Sequence, residues 1–232
     1  MQNNISILCT RPLSKALVEQ AQQQGIIIDE IAFIATAAIQ TIEVQQEIDQ
    51  VATQITTVVF TSMNAVEAVA GYLHGQPVNW RIYCMGTTTN QLVKKYFGEQ
   101  QLAGIANSAA ELAELIAANI RVDELTFFCG DQRRDELPEI LSSYTIDVTE
   151  IVVYQTIAVN HLVNKIYNGI LFFSPSAAES FFSKNKLPAA TVLFAIGSTT
   201  ANEIKKYSTN KIITSSEPGK ENLVAKMMEY FT

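Results

Sequence analysis

Val58-Val-Phe-Thr-Ser-Met-Asn-Ala-Val-Glu67 and Ile170-Leu-Phe-Phe-Ser-Pro-Ser-Ala-Ala-Glu179 are versions of one pattern. Each has a short β-branched or aromatic run, then a serine, then one or two alanines and a glutamate at helical spacing. Such a run is too short for a core helix and reads as a buried parallel strand whose serine opens a helix. Downstream of each, at a near-constant separation, Cys84-Met-Gly-Thr-Thr-Thr-Asn90 answers Ala195-Ile-Gly-Ser-Thr-Thr-Ala201. Leu112 answers Leu223, in helices expected over 110–120 and 221–231. Cys9-Thr-Arg and Cys129-Gly-Asp likewise take matching places before a helix. The repeat predicts two copies of one α/β unit.

Working outward, buried parallel strands are expected at Ile5–Cys9, Val58–Phe60, Ile82–Met85, Leu125–Cys129, Ile170–Phe173 and Val192–Ile196. Leu13, Ala16, Leu17 and Ala21 before Gly25, and Leu92, Val93, Tyr96 and Phe97 before Gly98, mark helices ending on a glycine suited to the left-handed C′ position. Pro12 suits the first turn of the former. Extended stretches at Ile26–Ile28 and Ile31–Ile39, and at Val148–Val159, lie at matching positions in the two copies. They suggest a pair of antiparallel strands joining two lobes.

A length of 232 residues suits two domains, and 48% hydrophobic against 17% charged residues can build real cores. A net charge of −7 and a pI near 4.9 leave no basic field for nucleic acid or an anionic membrane. The N-terminus has no basic, apolar signal-like segment, and the run Ile31–Ile39 is far short of a membrane span, so a cytoplasmic protein is expected. Cys9, Cys84 and Cys129 sit in apolar runs and read as buried reduced thiols. His74 and His161 have no ligand-like spacing, so no metal is expected.

In a parallel α/β unit, ligands bind outside the carboxyl ends of the strands. Those ends read Thr10-Arg11, Thr61-Ser62, Thr87-Thr88-Thr89 after Gly86, Gly130-Asp131, Ser174-Pro-Ser176, and Ser198-Thr199-Thr200 after Gly197. Free N–H groups, hydroxyls and helix dipoles converge there, which predicts anion binding. Any one Ser or Thr is ordinarily a helix cap. The matched sets, and a third threonine beyond what a cap needs, argue for a ligand. Arg11 could meet a carboxylate. Arg133 and Arg134 are expected a turn into their helix, with at least one of them solvated. No phosphate loop, nucleophile elbow, zinc helix or full dinucleotide fingerprint occurs, so no cofactor is expected.

Val59-Phe-Thr-Ser-Met-Asn-Ala-Val66, Cys129-Gly-Asp-Gln-Arg-Arg-Asp-Glu-Leu-Pro138, Val153-Tyr-Gln-Thr156, Phe172-Phe-Ser-Pro-Ser-Ala177 and Ala195-Ile-Gly-Ser-Thr-Thr200 resemble motifs of the uroporphyrinogen-III synthase family in order and spacing. Thr10-Arg11-Pro12 is similar to the start of its bacterial members. The resemblance implies two flavodoxin-like parallel α/β lobes with a cleft between them. Lobe one would be residues 1–34 plus 158–232, lobe two 41–151, and the linker strands 35–40 and 152–157. It also implies a cofactor-free monomer that dehydrates hydroxymethylbilane, a linear tetrapyrrole with eight carboxylates, and closes it to uroporphyrinogen III with inversion of ring D. Tyr154 matches a family tyrosine near the cleft and would help the hydroxyl leave. Ser198 stands where the family often has proline. The competing readings are a non-enzymatic two-lobed small-anion binder and a flavodoxin-like flavin or nucleotide module.

Overall fold

A computed structural model describes residues 5–119, 122–215, 217 and 219–232. In chain order the elements are β1 (Ile5–Cys9), α1 (Lys15–Gln23), β2 (Ile26–Glu30), β3 (Ile34–Ala38), α2 (Ile42–Ala52), β4 (Ile55–Phe60), α3 (Met63–Leu73), β5 (Asn79–Met85) and α4 (Thr87–Phe97). There follow β6 (Leu102–Ala106), α5 (Ala109–Ala117), β7 (Glu124–Gly130), α6 (Glu136–Ser143), β8 (Asp147–Ala158), β9 (Gly169–Phe172), α7 (Pro175–Phe182), β10 (Val192–Ala195), α8 (Ser198–Lys205), β11 (Ile212–Thr214) and α9 (Lys220–Phe231). The chain divides into two compact units, Met1–Ala35 with Ile157–Thr232, and Thr36–Thr156. It passes between them within β3 and β8.

Unit 1 carries the sheet β2-β1-β9-β10-β11, with every neighbouring pair parallel. Unit 2 carries β3-β8-β7-β4-β5-β6, parallel from β8 through β6. With its own strands numbered by appearance, unit 1 has the doubly wound order 2-1-3-4-5. Unit 2 has the same order cyclically shifted, because β7 and β8 come last in its chain yet fill the first two places. The repeat is therefore real, and the second copy starts on its third strand.

Alternation along each strand sends side chains to opposite faces, so each sheet has two cores. In unit 2, Val58, Phe60 and Phe128 join Trp80 and Val66 on one face, while Val59 and Phe127 meet Leu112 and Leu137 on the other. Trp80 Nε1 donates to Val51 O at 2.9 Å, which satisfies the one polar atom of a buried ring. In unit 1, Leu8, Phe172 and Phe181 lie on one face, and Ile7, Phe194, Leu223 and Met227 on the other. The equivalent leucines Leu112 and Leu223 are both fully buried.

Several local expectations need correction. Pro12 lies outside α1, whose N-cap is Ser14. Gly25 has φ +75°, as a C′ glycine should, but Gly98 is itself the cap with φ 89° and ψ 154°, so it is not in the left-handed helical well. Arg133 and Arg134 precede α6 rather than lying within it. The helix expected over 110–120 ends at Ala117, with Ile120 outside the described residues. The three cysteines are free and buried, and burial pushes the thiol of Cys9 up to about 12 and that of Cys84 up to about 11. Among the described residues no helix is long and apolar enough to cross a membrane.

Candidate functional site

In a 2-1-3-4-5 sheet the connections part to opposite faces between the first and third strands, opening a crevice outside their carboxyl ends. In unit 2 that point lies between β7 and β4, and in unit 1 between β1 and β9.

At the unit 2 point, β4 ends at Phe60, half-buried Thr61 follows, and Ser62 caps α3 by accepting from Asn64 N–H at 3.1 Å. Tyr154, in β8 and half-buried, donates its phenol to the same Ser62 Oγ at 3.1 Å. Ser62 Oγ thus accepts two hydrogen bonds and keeps its own proton to donate. Residues 92 positions apart, expected separately from sequence, form one hydroxyl pair. Beside them a recess of about 180 Å3 is lined by Thr36, Ala38, Asn64, Glu67 and Tyr154. A larger cavity of about 650 Å3 follows α2 and α3 toward His74, at the far end of α3, and includes none of the expected site residues.

Gly130 is buried at the end of β7, and the next N–H, that of Asp131, is committed to Tyr154 O at 3.1 Å. Asp131 Oδ1 in turn accepts from Thr156 N–H at 2.9 Å. Arg133 is ion-paired with Asp135 and Glu150, which ties this loop to β8. Arg134 is the exposed member of the pair.

At the unit 1 point, Ser174 caps α7, accepting from Ala177 N–H at 3.1 Å with Ser176 Oγ 3.2 Å away. Thr10 is buried, and both its N–H and its Oγ1 donate to Leu171 O, at 3.1 and 2.8 Å. Arg11 is exposed, with its guanidinium 5.8 Å from the centre of the Phe173 ring, and no acid among the described residues pairs with it. Among the described residues it is a cation at a strand end with no acidic partner.

The neighbouring ends, one strand further along each sheet, repeat a different arrangement. Gly86 caps α4 and Gly197 caps α8, and neither has a side chain to satisfy the first N–H groups. Thr87 and Thr88, like Ser198 and Thr199, are exposed in the first turn. Thr89 and Thr200, 5% and 2% exposed, turn into the core. The third hydroxyl is thus a buried residue of the first turn. The sheet brings Thr61, Ser62, Gly130 and Tyr154 together in unit 2, and Arg11, Ser174 and Ser176 in unit 1. It sets Thr87 to Thr89 and Ser198 to Thr200 one strand away in each.

Asn64, Glu67 and Asp131 stand within the motifs quoted from the sequence, which by themselves assign them no role at the site. The Ser-x-Asn of the α3 cap was the one local signal available.

A family model described as Uroporphyrinogen-III synthase HemD matches residues 15–225. The chain belongs to that family. A Uroporphyrinogen-III synthase of Chlorobaculum parvum is 24% identical over 226 residues, covering 87% of this chain and 89% of the relative. The crystal structure of uroporphyrinogen-III synthetase from Helicobacter pylori aligns with a TM-score of 0.66 at 16% identity, over 97% of this chain and 99% of that one. A mutant Uroporphyrinogen III Synthase from Thermus thermophilus aligns at 0.59 with 12% identity, over 98% and 97%. At those identities the structures speak for the fold, and the family match carries the activity. The chain is a cyclising lyase of tetrapyrrole biosynthesis, and the anion-binder and flavin-module readings fall away.

Proposed function

We propose that this enzyme dehydrates hydroxymethylbilane and closes it to uroporphyrinogen III with inversion of ring D, gripping substrate carboxylates on strand-end donors and assisting loss of the hydroxyl with the Tyr154 phenol. The observation that carries the reading is the Tyr154–Ser62 hydrogen bond at the switch point of unit 2, where the fold directs ligands. The phenol proton passes to the departing hydroxyl, which leaves as water with the C–O electron pair. The proton that the ring N–H then sheds returns to the phenolate, leaving an electron-poor azafulvene. Ser62, held by Asn64 N–H, fixes the direction of the phenol beforehand.

The uncapped first turns at Gly86 and Gly197, with exposed Thr87, Thr88, Ser198 and Thr199, present N–H and O–H donors suited to carboxylates. Arg11 adds a positive charge, without an acidic partner among the described residues, in a chain of net charge −7. Ser62, Ser174 and Ser176 supply further hydroxyls, while Thr61 flanks the phenol. Unaided closure tends toward the symmetric isomer. Tenfold preference for inversion requires only about 1.4 kcal/mol between the competing transition states, which one or two hydrogen bonds supply. Positioning is therefore sufficient chemistry for the isomer outcome. A monomer working in the cytoplasm without metal, flavin or nucleotide belongs to the same reading.

The test is a coupled assay with freshly made hydroxymethylbilane and separation of isomers I and III. Mostly isomer III without additives is expected. Product indistinguishable from the spontaneous isomer I overturns the proposal.

A further inference from the structure

The β7–β8 register shifts between Cys129 and Gly130, so that Cys129 faces Val152 but Gly130 faces Tyr154. A bulge of this kind re-aims a side chain at a strand end. The re-aimed group is Tyr154, whose ring lies over the α-carbon of Gly130. A β-carbon built on Gly130 would fall 2.6 Å from both Cε2 and Oη of that ring, and nearer still to Cζ. These three nearest atoms all belong to the far end of one side chain. Two further bonds hold the same stretch: Asp131 N–H donates to Tyr154 O, and Thr156 N–H donates to Asp131 Oδ1.

We infer that Gly130 and Asp131 are positioning residues for the phenol: the missing side chain of Gly130 is the slot that seats the Tyr154 ring, and Asp131 clamps the backbone at Tyr154 and two residues beyond it. The inference rests on the proposed role of Tyr154. Glycine is required here for space rather than for backbone freedom. A methyl group at this position displaces the phenol from Ser62 by rotating one side chain, which leaves the sheet in place. The displacement is thus local, and its cost falls on the reaction rather than on folding.

The experiment is a double-mutant cycle between Gly130→Ala and Tyr154→Phe, with turnover, isomer ratio and thermal unfolding measured on each purified full chain. Gly130→Ala is expected to lower kcat to within a few-fold of Tyr154→Phe, roughly 10²-fold below wild type. The double variant should be no slower than the slower single, because the second change has no seated phenol left to disturb. Unfolding temperature should change little. Asp131→Ala should lower kcat by roughly three- to tenfold, one ordinary hydrogen bond. Asp131→Asn, which keeps an oxygen acceptor for Thr156 N–H, should restore it, and both effects should vanish in the Tyr154→Phe background. If Tyr154→Phe is slow but Gly130→Ala keeps normal kcat, the positioning inference alone fails. Multiplying effects in the double variant reject it as well. If Tyr154→Phe itself keeps normal turnover, the acid role fails and the inference goes with it. Should Gly130→Ala not fold, the Asp131 pair decides the matter.

Discussion

At the end of the first strand of their common fold, the two units use one position in opposite ways. Unit 1 has Thr10, buried, with its hydroxyl spent on Leu171 O in the adjacent strand. Unit 2 has Gly130 at the matching place, and the vacated volume is occupied by the ring of Tyr154. The same comparison holds for tyrosines. Tyr167 of unit 1 is 5% exposed and donates to Asp29 Oδ2 at 2.7 Å, whereas half-buried Tyr154, which itself lines a recess, donates to the Ser62 hydroxyl. The two units are like scaffolds; a glycine and a bulge in one of them make room for the Tyr154 ring. The other kept the position as a strand-to-strand tie.

The widest contrast expected is between the tyrosines. Tyr154→Phe should reduce turnover by roughly 10²-fold with little change in stability, since the ring packing is retained. Tyr167→Phe should leave turnover unaltered and cost about 1 kcal/mol of stability through the lost bond to Asp29. Steady-state kinetics beside thermal melts read both, and equal kinetic behaviour of the two variants would erase the distinction. Leakage to isomer I in Tyr154→Phe would mean that the phenol steers ring closure as well as supplying a proton.

Next in size, Thr10→Gly should mirror Gly130→Ala. It removes a buried hydrogen bond and adds chain entropy in the unfolded state, roughly 1–2 kcal/mol together, while kcat stays put. A clear kinetic defect in Thr10→Gly with folding intact would show that unit 1's strand end also acts on substrate.

The strand-end donors divide by burial. Ser62→Ala and Ser198→Ala should each slow turnover by on the order of tenfold or less. Thr89→Ala and Thr200→Ala, altering side chains turned into the cores, should lower the melting temperature and spare the rate. Complete inactivation by a single donor change would contradict a distributed grip.

The smallest effect is an acid-side one confined to unit 1. Hydrogen bonds from Lys165 and then Tyr167 hold the Asp29 carboxyl below its ordinary value. A depressed carboxylate stabilises the fold above its unfolded pKa of about 3.9, and that contribution disappears as pH falls through the folded value. Asp29→Asn should therefore lose less stability than wild type on acidification below about pH 4. With Asp29 37% exposed the difference will be slight. Identical acid melts for the two proteins would remove Asp29 from the account.

The sequence made the central strands legible because all-apolar runs between helical patterns have few other uses. It did not disclose β6 and β11, where Gly104 and a three-residue edge leave little pattern to read. Pro12 misled because proline is equally at home before a cap, and Ser14 was the better start signal. The duplicated Ser and Gly-Thr ends fall at strand-to-helix loops, as their pattern indicates. Which hydroxyls are caps, which face outward and which turn inward depends on the helix phase at the first turn, visible only in coordinates. The Tyr154–Ser62 pair and the reason for Gly130 follow from a one-residue shift between strands, and composition carries no trace of such a shift.

The cyclic shift of the second copy bears on how the chain is made. β1 emerges early, yet its neighbour β9 begins at Gly169, after the whole of unit 2. At ribosomal speeds of about 5–20 residues per second, Ile7, Leu8 and Cys9 wait on the order of ten seconds for the partner that buries them. Unit 2, unbroken in sequence, is free to fold during that wait. Its own ends meet where Ile39 N–H donates to Val153 O at 2.9 Å, so the inserted stretch becomes a short bridge rather than a long floppy loop. A nascent chain stalled before Gly169 carries an apolar strand with one edge unpaired, the form in which it would stick to its neighbours.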